Sequence, residues 1–103
     1  MADNAIGGIE FDPTMDHLAE AMQRATKVQS VIAQNIANAN NPDYKAQEFD
    51  AVLNKAVERS NSKVILEEEM AAMSKNAGAH AAYVKLLTSK LSIMRSVVSQ
   101  GRK

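Results

Sequence analysis

The most regular pattern in this chain lies in residues 67–98, EEEMAAMSKNAGAHAAYVKLLTSKLSIMRSVV. Side chains suited to a helix interface recur there at alternating spacings of three and four, which places them on one face of an α-helix. The series is Met70, Met73, Ala77, His80, Val84, Leu87, Leu91, Met94 and Val98. Acidic residues precede it and basic residues follow it, a polarity that the helix dipole favours. We therefore predict a heptad helix over residues 67–103 with a coiled-coil seam.

A second amphipathic pattern occupies the N-terminal part of the chain. Asp12 and Pro13 are typical of a helix start, because Asp caps the first turn and the first helical position needs no N–H. An apolar stripe follows, formed by Leu18, Ala21, Met22, Ala25, Val28, Ile32 and Ile36. The turn-forming run at residues 40–43, NNPD, interrupts it. The prediction is a helix over residues 13–40, preceded by a flexible, Gly-rich tail over residues 1–12.

The middle of the chain, residues 41–66, is rich in turn formers. Phe49, Val52, Leu53, Ala56 and Val57 fall on one face of a helical wheel, which predicts a short helix over residues 46–59. Residues 63–66 could be extended. The predicted fold class is all-α: two long N- and C-terminal helices form a coiled-coil-like pair, joined by a short irregular or helical segment. Further apolar surface is then left for neighbouring subunits.

Composition limits the classes of function. Hydrophobic residues make up 46% of the 103-residue chain and aromatic residues only 4%, which suits close helix packing and makes a partner chain a reasonable expectation. Twelve basic and twelve acidic residues cancel, so nucleic-acid binding is not expected. The chain has no cysteine, which excludes disulfides. We expect no Sec-type signal peptide. We also expect no membrane-spanning helix, which would need an apolar run of ~20 residues.

Catalysis finds little support in the sequence. His17 and His80 lie far apart, and a metal site needs three or four converging ligands, so we read His80 as a tolerated polar seam position. Glu67, Glu68 and Glu69 are interpreted as a solvated first turn rather than a catalytic or metal cluster, since neighbours on a helix point about 100° apart. The methionines are read as core filling rather than an adaptable groove. We expect no enzyme activity, no metal, no cofactor, no small-molecule substrate and no direct lipid binding.

Residues 33–45, AQNIANANNPDYK, are unusual for a helix. Asn is a poor helix former because its amide competes for nearby backbone groups. Asn35 and Asn38 are three residues apart and share a face. Two interpretations stay open from the residues alone: the asparagines end the helix and form the turn, or their amides fix the register with a partner.

This stretch resembles a motif of the flagellar axial proteins, the family of rod, hook and hook-associated subunits. Their N-terminal pattern has the form A-N-N-L-A-N-x-x-T-P-G-Y. The match covers Asn35, Ala37, Asn38, Pro42 and Tyr44, with Ile36 in place of Leu; Gln34, Asn41 and Asp43 depart from the pattern. The motif also lies at the end of an N-terminal amphipathic helix and is followed by a C-terminal heptad helix, as in that family.

The resemblance implies a structural subunit of the bacterial flagellar basal body. Within that family, the short length of the chain favours the rod, and residues 64–76 and 87–94 resemble a protein of the proximal rod. Such subunits are exported unfolded through the flagellum-specific type III apparatus and assemble across the periplasm. The implied partners are other copies of the chain, other flagellar rod proteins, and export-gate and basal-body adaptor proteins.

The apolar stripes together with the motif give a set of predicted subunit-interface residues. They are Leu18, Met22, Val28, Ile32, Asn35, Ile36, Asn38, Tyr44, Met70, Met73, Val84, Leu87, Leu91, Met94 and Val98. The alternative function is a helical-hairpin adaptor or export chaperone that binds a client protein.

Overall fold

A computed structural model describes residues 5–6, 9–10 and 12–101. Within them, two long helices dominate: α1, Pro13–Ala37, and α2, Leu66–Gly101. The short strands pair as two antiparallel hairpins, β1 (Ala5–Ile6) with β2 (Ile9–Glu10) and β3 (Gln47–Asp50) with β4 (Lys55–Glu58). The molecule is elongated, 65 × 28 × 16 Å. The predicted pair of long terminal helices is confirmed.

The start of α1 forms as its sequence predicts. The Asp12 carboxylate accepts a hydrogen bond from the Met15 backbone N–H at 2.9 Å, and Pro13 occupies the first turn. Lys90 of α2 lies 2.8 Å from the other carboxylate oxygen of Asp12. This contact and, second, the Met15 N–H hold the pKa of the Asp12 carboxyl below its ordinary value.

The two helices run antiparallel, as three cross-helix contacts establish. Asp12 pairs with Lys90 at one end, and Asn35 meets Glu69 at the other. Between them, Asn76 donates to the Ala25 carbonyl at 2.7 Å. The small core lies along this pairing, and its buried apolar side chains are Met15, Ala25, Val31, Ile32 and, beyond α1, Ala46.

The helices differ in length, 36 residues in α2 against 25 in α1. Because Lys90 already lies opposite the N-cap of α1, residues 91–101 of α2 extend about 16 Å past the start of α1 at 1.5 Å per residue. Their apolar side chains therefore have no α1 residues opposite them. Strand β2 also contacts α2.

The seam on α2 is rotated from the predicted one. Of the nine predicted positions, Met73, His80, Leu87, Leu91, Met94 and Val98 are half-buried, but Met70, Ala77 and Val84 are exposed. Glu69 and Asn76 turn toward α1 instead. Both polar side chains find partners on α1, so their burial is not penalised. A pattern that counts only apolar residues misplaces such a face.

The predicted helix over residues 46–59 is wrong, because this segment forms the β3–β4 hairpin. Its register pairs Gln47 with Glu58 and Asp50 with Lys55. The loop between the strands is closed by Asn54 at φ 55°, a left-handed conformation that Asn adopts more readily than most residues. Short apolar runs do not distinguish a helix from a strand by periodicity, and the turn decides here.

The hairpin is attached to α1 through its tip. Lys27 Nζ donates to Asn54 Oδ1 at 2.7 Å and lies 5.9 Å from the centre of the Phe49 ring. At the same tip, Asp50 accepts hydrogen bonds from the backbone of Val52 and Leu53, whose side chains point into solvent. The hairpin therefore stands on one side of the helix pair.

The segment predicted to be a flexible tail, residues 1–12, is only partly described. Residues 5–6 and 9–10 form β1 and β2, so the prediction of irregular structure is wrong there. Asp12 is the cap of α1, and the other residues of the tail lie outside the described ones. After β4, residues 62–65 have no regular secondary structure, and α2 begins one residue before its predicted start.

Candidate functional site: a buried polar junction

The side chain of Asn35 is the centre of a buried polar junction, which we define as Asn35, Tyr44, Arg59, Glu69 and the backbone of Gln47. Asn35 is only 1% exposed, yet its amide makes four hydrogen bonds. Nδ2 donates to the Gln47 carbonyl at 2.9 Å and to Glu69 Oε1 at 3.0 Å. Oδ1 accepts from the Tyr44 hydroxyl at 2.8 Å and from the Gln47 N–H at 2.9 Å. Every donor and acceptor site of this amide is used.

Glu69 supplies the negative charge of the junction from the first turn of α2. Its side chain is nearly buried, and its second oxygen lies 2.9 Å from Arg59 Nη1. Arg59 in turn donates to the carbonyls of Asn61 and Lys63, at 2.9 and 3.1 Å. A buried carboxylate is tolerated only when it is paired and hydrogen-bonded, and both conditions are met.

Tyr44 reaches the junction from the turn that follows α1. The Tyr44 N–H donates to the Asn41 carbonyl at 3.1 Å, and the Asp43 N–H donates to Asn41 Oδ1 at 3.0 Å. With Pro42 second in this turn and no positive φ at Asp43, the arrangement suits a type I turn. Burial raises the pKa of the Tyr44 phenol, and the charge of Glu69 adds to the rise, against the opposing effect of Arg59.

The base of the hairpin is fixed beside the junction. Ala46 is completely buried; its N–H donates to the Ser62 carbonyl at 2.8 Å, and its carbonyl accepts from the Arg59 N–H at 2.9 Å. The junction therefore joins α1, the turn, the hairpin base and α2 into one unit. Among the side chains that the structure describes, no buried nitrogen or oxygen lacks a partner.

Chemically, this arrangement is suited to holding segments together. The Asn35 amide has no unused hydrogen-bond donor or acceptor for a ligand. The Glu69 carboxylate is occupied by Arg59 and Asn35. In the described part of the chain, no three His, Cys, Asp or Glu side chains are grouped as metal ligands would be. Each member of the junction is bonded to another member or to nearby backbone.

Asn38 behaves differently from Asn35, although both were predicted interface residues. Its Nδ2 and its backbone N–H both bond to the Gln34 carbonyl, at 2.9 and 3.1 Å. These bonds end α1 at Ala37, three residues before the predicted boundary. Each of the two interpretations of the asparagine run therefore applies to one residue. Asn38 ends the helix, whereas Asn35 fixes the register between segments of its own chain.

The other predicted interface residues differ in how far they are buried. Ile32 is buried, while exposure is intermediate for Leu18, Met22, Val28, Ile36, Tyr44, Met73, Leu87, Leu91, Met94 and Val98. Met70 and Val84 are exposed. Their roles at a subunit interface stay predictions.

Sequence reasoning missed two members of the junction, Arg59 and Glu69. Glu69 was interpreted as part of a solvated acidic turn; that is wrong for Glu69, which is 2% exposed, and holds for the exposed Glu67 and Glu68. Glu69 and Asn76 are seven residues apart on the buried side of α2, a polar repeat that could have been noticed. Arg59 carries no comparable signal, because its role depends on the hairpin.

Comparison with known families gives a match to the N-terminal part of the chain. The family described as flagella basal body rod protein matches residues 15–45, a range that includes Asn35 and Tyr44 of the junction. No curated protein matches the chain. The match confirms the resemblance: residues 15–45 are similar to flagellar rod proteins, a structural family of the bacterial flagellar basal body. Rod proteins assemble with other flagellar rod proteins. In the described residues, neither helix is apolar enough over sufficient length to cross a membrane.

Proposed function

We propose that this protein is a non-enzymatic subunit of the proximal rod, the member known as FlgB, and that it packs with copies of itself and with other rod proteins to transmit torque from motor to hook. Export-gate and basal-body adaptor proteins are the proposed neighbours at the inner end. The subunit is proposed to be exported unfolded through the flagellum-specific type III apparatus. Residues 64–76 and 87–94, which resemble this member, support the assignment within the rod.

The observation that carries the proposal is apolar surface that one copy leaves uncovered on α2. Leu86, Ile93 and Val97 are 57%, 65% and 63% exposed. They are separated by seven and four residues, so they form a stripe along one side of the helix. We name these three residues the outer ridge. Aliphatic side chains arranged in this way are typical of a surface that a neighbouring helix covers.

The polar junction supports a mechanical role. A torque-bearing subunit needs its helices held in fixed register, and Asn35 and Glu69 tie α1, α2 and the turn with short hydrogen bonds. Because Asn35 and Glu69 are buried and paired, slipping of one helix past the other would break several hydrogen bonds at once. Packing and hydrogen bonding, rather than a reactive group, would do the work of such a subunit.

Deleting the gene and imaging basal bodies by electron cryo-tomography tests the proposal. Loss of a proximal subunit should leave the export gate without any rod, and restoring the gene should restore the rod. A short rod stub on the export gate would contradict the proximal position. Normal flagella in the deletion strain would contradict the structural role as a whole.

A helical-hairpin adaptor or export chaperone is the second candidate, favoured by the same uncovered ridge if a client protein covers it. An adaptor should form a discrete, stable complex in the cell interior and be absent from purified basal bodies. A rod subunit should copurify with them. Quantifying the protein in the two fractions separates the candidates.

A further inference from the structure

The β3–β4 hairpin contacts the helix pair at two places that differ in burial. At its base, Ala46 is completely buried, and Arg59 lies 2.9 Å from the nearly buried Glu69. Beyond the base, none of residues 51–58 is buried, and Val52 at the tip is 93% exposed. The hairpin is therefore anchored at one end and largely surrounded by solvent at the other.

The anchor at the base takes the place of a third strand. The Asn35 amide accepts a hydrogen bond from the Gln47 N–H and donates one to the Gln47 carbonyl, both at 2.9 Å. A residue of a neighbouring antiparallel strand makes this same pair of bonds. Because Asn35 is only 1% exposed, water has little access to these bonds, and the edge of β3 is held firmly at Gln47.

A flexible side chain of α1 makes the polar contact at the tip. Lys27 Nζ donates to Asn54 Oδ1 at 2.7 Å and lies 5.9 Å from the centre of the Phe49 ring. Both Lys27 and Asn54 are exposed, so water competes for this hydrogen bond. Fixing the ammonium group also costs a lysine much of its rotamer freedom. This contact should therefore open far more readily than the buried bonds at the base.

Between the base and the tip, Phe49 is loosely packed against the helices. It lines one open space of about 220 Å³ together with Glu20 and Arg24. It also lines a second space of about 170 Å³ together with Ala21 and Val28. The close packing of a protein interior leaves few such spaces. This part of the hairpin can therefore move without disrupting a dense core.

We propose that the hairpin is a hinged arm, which turns about its base at Gln47 and is held closed by a latch, the contact of Lys27 with Asn54. Hinges are commonly a few residues at the end of an element. From Gln47 to Val52 the arm is about 17 Å long at ~3.4 Å per residue, so a rotation of about 30° moves the tip by about 9 Å. The device thus moves the exposed apolar tip relative to a helix pair whose register the junction keeps fixed. This inference is independent of the proposed rod function.

Distances between two spin labels test the arm, because the native chain has no cysteine and labels attach only to introduced ones. Ser74→Cys, at an exposed position of α2, is the common reference; Val52→Cys reports the tip, and Ser60→Cys reports the base. Double electron–electron resonance on Ser74→Cys/Val52→Cys should give one main tip distance. Adding Lys27→Met should raise the population at a second tip distance by roughly tenfold, the effect of losing one ordinary hydrogen bond.

The matched control is Lys45→Met, which removes another exposed lysine that contacts the hairpin, 3.7 Å from Glu58 near the base. It should leave the tip distances unchanged, and the base distance between the labels at positions 74 and 60 should be the same in every variant. Tip distances that Lys27→Met does not alter, or that Lys45→Met alters equally, would overturn the latch. A base distance that changes together with the tip distance would overturn the hinge, because the whole hairpin would then have detached.

Discussion

Asn35 and Glu69 meet across the helix pair, with Asn35 Nδ2 donating to Glu69 Oε1 at 3.0 Å and both side chains almost completely buried. Asn35 lies inside the segment that matches the rod family, and Glu69 lies 24 residues beyond its end. The contact therefore links the matched segment to the C-terminal helix. It explains why an asparagine, a poor helix former, occupies the last turn of α1.

The first prediction compares the two asparagines of the motif. Asn35→Ala should lower the free energy of unfolding by about 3 kcal/mol, because the buried Glu69 carboxylate and part-buried groups on Tyr44 and Gln47 lose their partner. Asn38→Ala is the control and should change it by less than ~1 kcal/mol, since its amide bonds only to the Gln34 carbonyl among the described residues. Urea unfolding followed by circular dichroism gives both values. Equal losses would show that Asn35 has no special role.

A second prediction concerns the Arg59–Glu69 ion pair. Arg59→Met should destabilise the protein by about 3 kcal/mol, because it leaves a buried carboxylate without its cation. The double variant Arg59→Met/Glu69→Gln should lose less than the sum of the single variants, by at least ~1 kcal/mol in a double-mutant cycle.

The exposed pair Lys45–Glu58, at 3.7 Å, supplies the control for that cycle. Its side chains are 69% and 52% exposed, so the coupling between Lys45→Met and Glu58→Gln should stay below ~0.5 kcal/mol. An Arg59–Glu69 coupling energy no larger than this would show that the ion pair contributes no more to stability than an exposed pair does.

Much of the fold follows from local signals in the sequence. Asp12 and Pro13 mark the start of α1, and the spacing of Met73, Leu87 and Met94 marks the buried side of α2. The hairpin could not be predicted in the same way. Phe49 and Val57 fit a helical face and a pair of strands equally well, and the outcome depends on the Asn54 turn and on packing against α1.

The candidate site was predictable only in part. Asn35 and Tyr44 stood out by residue type and by resemblance, and both belong to the junction. Glu69 looked like one of three equivalent surface carboxylates, because nothing in an acidic run distinguishes the residue that faces a partner. Its burial is decided by the pairing of α1 with α2 and by Arg59, whose position depends on the hairpin.

The third prediction is a loss of stability at high pH through Tyr44. Because the folded-state pKa of its phenol is raised, the folded protein holds this proton more tightly than the unfolded chain. The associated stability is fully present below the unfolded pKa of about 10 and is lost as pH rises through the folded value.

Tyr83→Phe leaves Tyr44 as the remaining tyrosine, since the chain has two. In this background, phenolate absorbance should appear at a pH above the ordinary tyrosine range. The free energy of unfolding measured in urea should fall over the same pH range. The further change Tyr44→Phe should abolish the alkaline fall. A Tyr44 that titrates as in the unfolded chain would contradict its bond to Asn35.

A fourth prediction follows from the unequal helix lengths. Backbone amides in residues 91–101 of α2 should exchange faster in dilute monomeric protein than those in residues 69–76. The first segment extends past α1, whereas the second is held by the junction and by Asn76. Hydrogen exchange read by NMR gives the gradient. Equal protection along the whole of α2 would mean that the extension needs no neighbour.

The most direct test of the central claim, that the uncovered side of α2 is an assembly surface of the rod, is the amount of protein in purified basal bodies. Ile93→Asp and Ser92→Asp add the same charge at adjacent exposed positions, on and off the outer ridge. Each is produced in cells that lack the native copy. Burying an unpaired carboxylate at an interface costs several kcal/mol, and about 1.4 kcal/mol corresponds to a tenfold change. Basal bodies should contain native amounts of Ser92→Asp protein and at least tenfold less Ile93→Asp protein; native amounts of Ile93→Asp protein would contradict an assembly role for this side of α2.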